Sequence, residues 1–247
     1  MKSNKYKKRS YRDRVRAKDL FSENISVKET DLQILSDKKI DIGYCRKRII
    51  FYRNQIESYI AKDRRFLTSL KPLAVEINAP FIIGDMAGAA RKAGVGPMAA
   101  VAGAIAQAIG KDLLKKGAKE VIVENGGDIF LKIKKPRIVG IYAGKQKCWQ
   151  NLGLRLKPDA TPLGICTSSG TVGHSLSFGK ADAAVVFAKN CALADAVATA
   201  AANRVSNKED LEKSLSFARN ISGIKAVLLV IGKEMIAWGG AELVYRR

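Results

Sequence analysis

Asp195 and Thr199 stand four residues apart in Ala192–Asn203, a stretch made mostly of alanine. On a helix that spacing sets a carboxylate and a hydroxyl one turn apart on the same face. Two such oxygen donors can share a hard cation such as Mg2+. Taken alone, the pair is better explained as an i,i+4 hydrogen bond on a packed helix. Three further segments bear on the choice. Thr167–Gly179 is rich in hydroxyls and glycine, with Ser168, Ser169, Gly170 and Thr171 leading to His174, the only histidine of the chain. Its backbone N–H groups and hydroxyls suit phosphate or ribose oxygens, although a lone histidine is more often structural. Glu124-Asn125-Gly126-Gly127-Asp128-Ile129 reads as a hairpin turn that places an amide and carboxylates beside a flexible backbone. The same residues would also serve as an ordinary turn. Gly94–Ala104 puts two glycines, Gly94 and Gly96, before a helix start and small residues such as Ala100 and Gly103 along its first turns. A helix N-terminus can hold a phosphate, and small side chains admit either a ligand or another backbone.

Together, in this order, the four segments resemble the ApbE-like superfamily, the FAD:protein FMN transferases once tied to thiamine biosynthesis. That family has a small-residue helix, an N-x-G-G-D-I hairpin, a Ser-Gly loop leading to histidine and an A-D-x-x-A-T helix. Here they correspond to Gly94–Ala104, Asn125–Ile129, Ser169-Gly170 with His174, and Ala194–Thr199. Glu29-Thr30-Asp31-Leu32, Gly94-Val95-Gly96-Pro97-Met98 and Val123–Asp128 look nearer still to a compact intracellular branch of that superfamily.

The resemblance implies an α+β fold of mixed or antiparallel sheets with packed helices, forming one domain over residues 11–247 behind a flexible basic tail at 1–10. It implies Mg2+ on Asp195 and Thr199, helped by a backbone carbonyl near Ala100–Ala102, and FAD as substrate or ligand. Gly96, Ala100, Gly103, Asn125, Gly126, Gly127, Asp128, Ser168, Ser169, Gly170 and Thr171 would then line the flavin nucleotide. His174 would belong to the catalytic apparatus, and the family's acceptor is a protein hydroxyl. Two positions depart from the pattern. Ala100-Val101-Ala102-Gly103 lacks the family's lysine, and His174-Ser175-Leu176-Ser177 carries Ser177 in place of an aspartate. Asp182 is the substitute candidate for that carboxylate. A binding protein that has lost transfer chemistry therefore stands as the alternative.

Elements that position these residues follow from periodicity. Helices are expected at Arg46–Ile60, Phe81–Ala93 with Gly94 as C-cap, Pro97 to about Lys116, Ala192–Arg204 and Lys208–Arg219. Strands are expected at Tyr11–Val15, Ile25–Leu35, Glu120–Glu124, Ile129–Ile133, Arg137–Tyr142, Leu152–Leu156, Leu163–Thr167, Ala183–Phe187, Ala226–Ile231 and Met235–Trp238. Leu73–Ile77 reads as a short extended piece between Pro72 and Pro80. Strand pairs mixed with helix pairs point to α+β rather than an alternating parallel sheet.

Composition bounds the rest. A net charge of +21, from 44 basic and 23 acidic residues, favours polyanionic partners. Nine of the first 18 residues are Lys or Arg, so nucleic acid is kept as a third reading. The few N-terminal aromatics, Tyr6, Tyr11 and Phe21, make no stacking platform for it. Cys45, Cys148, Cys166 and Cys191 form no C-x-x-C pair, which predicts reduced thiols. No apolar segment follows the basic N-terminus, and Val95–Ile109 is too short and too small-residue-rich to span a bilayer. A cytoplasmic protein without membrane contact is expected, and a homodimer stays open.

Overall fold

The computed structural model describes residues 17–144, 146–170 and 179–245. Eight antiparallel strands form one sheet, in the spatial order β1 (Phe21–Val27), β2 (Thr30–Ser36), β3 (Val121–Asn125), β4 (Asp128–Lys132), β7 (Leu163–Ser168), β8 (Ala183–Ala188), β9 (Ile224–Ile231) and β10 (Glu234–Gly239). A second sheet pairs β11 (Glu242–Tyr245), β6 (Leu152–Leu156) and β5 (Arg137–Gly140), also antiparallel. Six α-helices complete the fold among the described residues: α1 Ile42–Lys62, α2 Arg65–Thr68, α3 Phe81–Ala93, α4 Val101–Lys115, α5 Cys191–Ala202 and α6 Leu211–Arg219. The expected α+β class is what forms.

Period-two alternation divides the core into two. Val121, Val123, Phe130, Ala184 and Val186 point from the large sheet into the helical layer. Their strand neighbours Ile122, Leu131, Val185 and Phe187 point the other way, onto Leu152, Leu154 and Val139 of the small sheet. Both faces of the central strands are thus covered, and β8 (AAVVFA) is buried throughout. Each fully buried Val or Ile contributes about 1.5–3 kcal/mol against exposure. No single helix among the described residues is long and apolar enough to cross a membrane.

Helix α5 lies at the centre of the helical layer, packed on β7 and β8 beneath α3 and α4. Its sequence CALADAVATAAA explains how: nearly every side chain is a methyl or smaller than leucine, so the axis can approach its neighbours closely. All its residues are buried except Thr199.

Several expectations are corrected. Ile25–Leu35 is not one strand but the hairpin β1–β2, which turns at Lys28-Glu29 with Lys28 at φ 51°. The segment from Pro97 opens as a 3-10 turn over Pro97–Ala100, and the α-helix begins at Val101. Leu73–Ile77 carries no regular element, and β5 stops at Gly140, short of Tyr142. The short elements α2 and β11 were not anticipated. Residues 1–10 and Tyr11–Val15 lie outside the described residues.

Candidate functional site

Strand β3 ends and β4 begins at a two-residue turn, Gly126 at φ 69° and Gly127 at φ 108°. Positive φ at both central residues is the signature of the hairpin turn that matches strand twist. Glu124 Oε1 accepts from the Gly127 amide at 2.8 Å and braces the turn. The pair Asn125↔Asp128 closes it, so both side chains stand at the end of the hairpin. Asn125 Nδ2 donates to the Ala102 carbonyl at 3.1 Å, which ties the turn to the first turn of α4.

Helix α5 meets the same place from below. Asp195 Oδ2 accepts from the Gly103 amide at 2.9 Å. Gly103 leaves room for this and for nothing else: a Cβ there would lie 2.4 Å from the Cys191 carbonyl oxygen and 2.9 Å from Asp195 Cβ. Of the two uses open to the small residues of this helix, close approach of another backbone is the one observed at Gly103.

Asp128 and Asp195 are both buried, at 7% and 9% exposure. Burial, together with the neighbouring Glu124 carboxylate, pushes Asp128 up to about 7, against hydrogen bonds from Cys166 and the Thr167 backbone. Asp195 is held well above the usual carboxylate range by burial and then by the charge of Asp128; the Gly103 and Ala102 backbone pulls the other way. Among the described residues neither carboxylate has a Lys or Arg ion-pair partner. Two like charges without a counter-cation in a low-dielectric setting are costly. A divalent cation would relieve that cost. No three His, Cys, Asp or Glu side chains converge on a common metal position among the described residues. A cation here would therefore draw on Asp195, the half-buried Thr199 one turn along, and backbone oxygen, the donor chemistry that suits Mg2+.

The Ser-Gly loop leaves and returns beside this helix. Ser168 ends β7, and Gly170 donates its amide to the Ala181 carbonyl at 2.8 Å. Gly179 packs so tightly on the last turn of α5 that a Cβ would lie 1.9 Å from the Ala202 carbonyl oxygen. Both described ends of the loop, Ser168–Gly170 and Gly179, therefore sit near the Thr199 end of α5. Thr171, His174 and Ser177 lie outside the described residues.

With this geometry in view, comparison with known proteins decides the family. The family described as "AbpE bacteria" matches residues 12–226. The chain belongs to it. Among its relatives, a UPF0280 protein of Methanosarcina barkeri is 42% identical over 227 residues, covering 92% of this chain and 89% of that protein. A UPF0280 protein of Methanocaldococcus jannaschii is 45% identical over 219 residues, covering 85% and 87%. Among solved structures, the flavinyl transferase ApbE of Pseudomonas stutzeri superposes with a TM-score of 0.57 at 14% identity, over 89% of this chain and 93% of that one. The flavin transferase ApbE of Vibrio cholerae gives 0.58 at 15% identity, over 90% and 96%. The AbpE fold is thus the ApbE fold, shared at low identity.

Within this AbpE chain the expected site residues are placed as follows. Asn125, Gly126, Gly127, Asp128, Gly103 and Asp195 converge, joined by the contacts above. Ala100 is fully buried at the end of the 3-10 turn. Gly96 faces inward instead, since a Cβ there would lie 1.7 Å from the Ser69 carbonyl oxygen; it serves packing against the end of α2. Asp182 accepts from the Gly232 amide at 2.7 Å and lies against Gly144, bracing the β9–β10 turn.

Residues that the sequence did not single out complete the surroundings. Cys166 Sγ lies 3.5 Å from Cys191 Sγ and 3.3 Å from the Cys191 carbonyl oxygen, beneath the first turn of α5. Asp85, Gln107 and Asn190 form a polar cluster at that same turn. A lone amide in an apolar helix is the signal that could have found Gln107, and a capping residue type before α5 the one for Asn190; nothing local points to their common partner.

Proposed function

We propose that this protein binds a flavin dinucleotide with a divalent cation at the end of α5, and that its reaction class is transfer of the FMN phosphoryl group to a hydroxyl. The observation that carries the reading is the pair of buried carboxylates, Asp128 and Asp195, without a cationic partner among the described residues and with the half-buried Thr199 hydroxyl one turn on. The names of the Pseudomonas stutzeri and Vibrio cholerae neighbours, flavinyl and flavin transferases, support the choice of flavin over other nucleotides.

In this reading Asp195 and Thr199 hold the cation, and the Gly103 amide fixes the Asp195 carboxylate in one orientation. The Gly126-Gly127 turn would lie against a phosphate or ribose oxygen, with the Gly127 amide already held by Glu124. Ser168 and Ser169, at the end of β7, would supply hydroxyls to the same ligand. Mg2+ would supply charge neutralisation as the acceptor oxygen bonds to the FMN phosphorus, the phosphate–phosphate bond breaks and AMP departs, the acceptor's proton passing to solvent or to the leaving phosphate. Ser177 and the absence of a lysine from Ala100–Gly103 favour a second reading, in which the nucleotide is bound without transfer.

Equilibrium dialysis of the full chain with FAD, with Mg2+ or with EDTA, tests the binding. Affinity should fall sharply in EDTA and in Asp195→Ala, with the weaker binding that remains measured at raised FAD. Chromatography for AMP and mass spectrometry of a protein acceptor then separate transfer from binding alone. Cation-independent binding, or none, sinks the proposal.

A further inference from the structure

Helix α5 begins with buried N–H groups that have no partner within the helix and must find acceptors elsewhere. Asn190, the N-cap, takes the Leu193 amide on its Oδ1 at 2.7 Å. Gln107, reaching across from α4, takes the Cys191 amide on its Oε1 at 2.9 Å. Both side-chain oxygens are thereby committed, so both residues must present their NH2 groups elsewhere. They present them to one residue. Asp85 Oδ1 accepts from Asn190 Nδ2 at 2.6 Å, and Asp85 Oδ2 accepts from Gln107 Nε2 at 3.1 Å.

Only a carboxylate can do this. An asparagine at position 85 would accept one NH2 and set its own NH2 against the other. The half-buried carboxylate ties α3 to α4 and α5, and it stands at the N-terminal end of α5, where negative charge is favoured. Lys111, one turn beyond Gln107 on α4, is the cation that helps hold it ionised against burial.

The clasp is in register with the candidate site. Gln107 and Cys191 form one rung between α4 and α5; Gly103 and Asp195, each four residues away, form the next. Fixing the first rung fixes the second. We propose that Asp85 is a positioning residue for Asp195, acting through Gln107, Asn190 and the first turn of α5. Its consequence for ligand affinity rests on the flavin and cation reading above; its effect on the Gly103–Asp195 contact does not.

Two measurements on the full chain separate these. Hydrogen exchange of the Gly103 amide reads the rung directly. Asp85→Asn should speed it, and the double variant Asp85→Asn/Asn190→Asp should restore it. In that swap the carboxylate introduced at position 190 accepts from the NH2 introduced at position 85 while still capping Leu193. Unchanged exchange in Asp85→Asn, or failure of the swap to restore it, overturns the proposal whatever flavin does. Should Asp85→Asn not fold, Gln107→Met breaks the same rung and must speed the same exchange.

FAD binding with Mg2+ reads the consequence. Asp85→Asn should weaken it roughly 10–100-fold, the usual effect of losing a group that orients a metal ligand. In an Asp195→Ala background it should cost nothing further. An equal loss in both backgrounds marks a general structural effect and refutes action through Asp195. Altered Gly103 exchange in a protein that binds no FAD refutes the flavin reading and leaves the clasp standing.

Discussion

Asp195 on α5 and Gly103 on α4 are locked together by a 2.9 Å hydrogen bond in a space too small for a methyl group. Gly103→Ala would drive a Cβ to 2.4 Å from the Cys191 carbonyl oxygen. That oxygen is backbone and cannot swing aside, so the two helices must separate. Overpacking of this kind costs about 1–3 kcal/mol, which urea denaturation would read. The same separation should pull the Gly103 amide from Asp195, so cation-dependent FAD affinity should fall by more than stability alone explains. A variant with wild-type midpoint and wild-type affinity would mean that the contact is not tight.

Asp128, raised to about 7 by burial and by Glu124, gives the site a pH dependence of definite sign. The folded state holds this proton more strongly than the unfolded chain does. Its contribution to stability is therefore complete in acid and is lost as pH rises through 7, by about 1.4 kcal/mol per pH unit at most for one group. Asp195 titrates in the same direction. Urea midpoints of the apo protein should decline from pH 5.5 to 8, and Asp128→Asn should flatten that decline. A cation needs the ionised forms, so its apparent affinity should climb over the same interval. A stability that rises from pH 6 to 8 in the wild type would contradict the assignment.

How far the sequence disclosed this arrangement depended on how local the determinants are. Phe81–Ala93 was readable to the residue because Pro80 and Gly94 bracket it, and Gly94 takes the left-handed C-cap at φ 71°. The Asn125–Asp128 turn, and the placing of Asp195 and Thr199 one turn apart on one helix, were readable for the same reason. The β1–β2 turn was not, since Lys28 adopts φ 51° without the glycine or asparagine that ordinarily announces it. Strand β11 was missed as four residues at a sheet edge, half of them exposed. Asp85, Gln107 and Asn190 span 105 positions, and Cys166 meets Cys191 only after β7 and α5 stack. Contacts of that range have no local pattern.

Gly127 carries the second backbone constraint of the hairpin. At φ 108° an L-residue is strained, and Glu124 Oε1 holds the amide in place. Gly127→Ala should cost about 1–3 kcal/mol of stability. Its Cβ would stand 3.5 Å from the Thr167 carbonyl, an ordinary contact, so the cost is conformational rather than steric. Glu124→Gln should keep the hydrogen bond and most of the stability, whereas Glu124→Ala should lose it. Thermal midpoints of the three variants check the order; a Gly127→Ala protein as stable as the wild type would show that the turn relaxes.

Away from the site, Arg137 anchors β5 through a buried ion network. Its Nε donates to Glu120 Oε1 at 2.6 Å, and its two terminal nitrogens donate to the two Asp19 oxygens at 2.6 and 2.9 Å. Arg137 is 9% exposed and Glu120 only 3%. Asp19 is open to water and is held well below the usual carboxylate range by Arg137 and Lys135, so its loss should matter little. Removing Arg137 is different, because Glu120 would be left buried without its cation. Arg137→Ala should therefore cost about 3–5 kcal/mol. In Glu120→Gln the guanidinium keeps Asp19 and an amide oxygen, and the cost should be markedly smaller. The ordering Arg137→Ala, then Glu120→Gln, then Asp19→Asn in urea midpoints follows from which charge each change strands. A penalty for Asp19→Asn as large as that for Arg137→Ala would instead make the exposed pair, not the buried one, the anchor of β5.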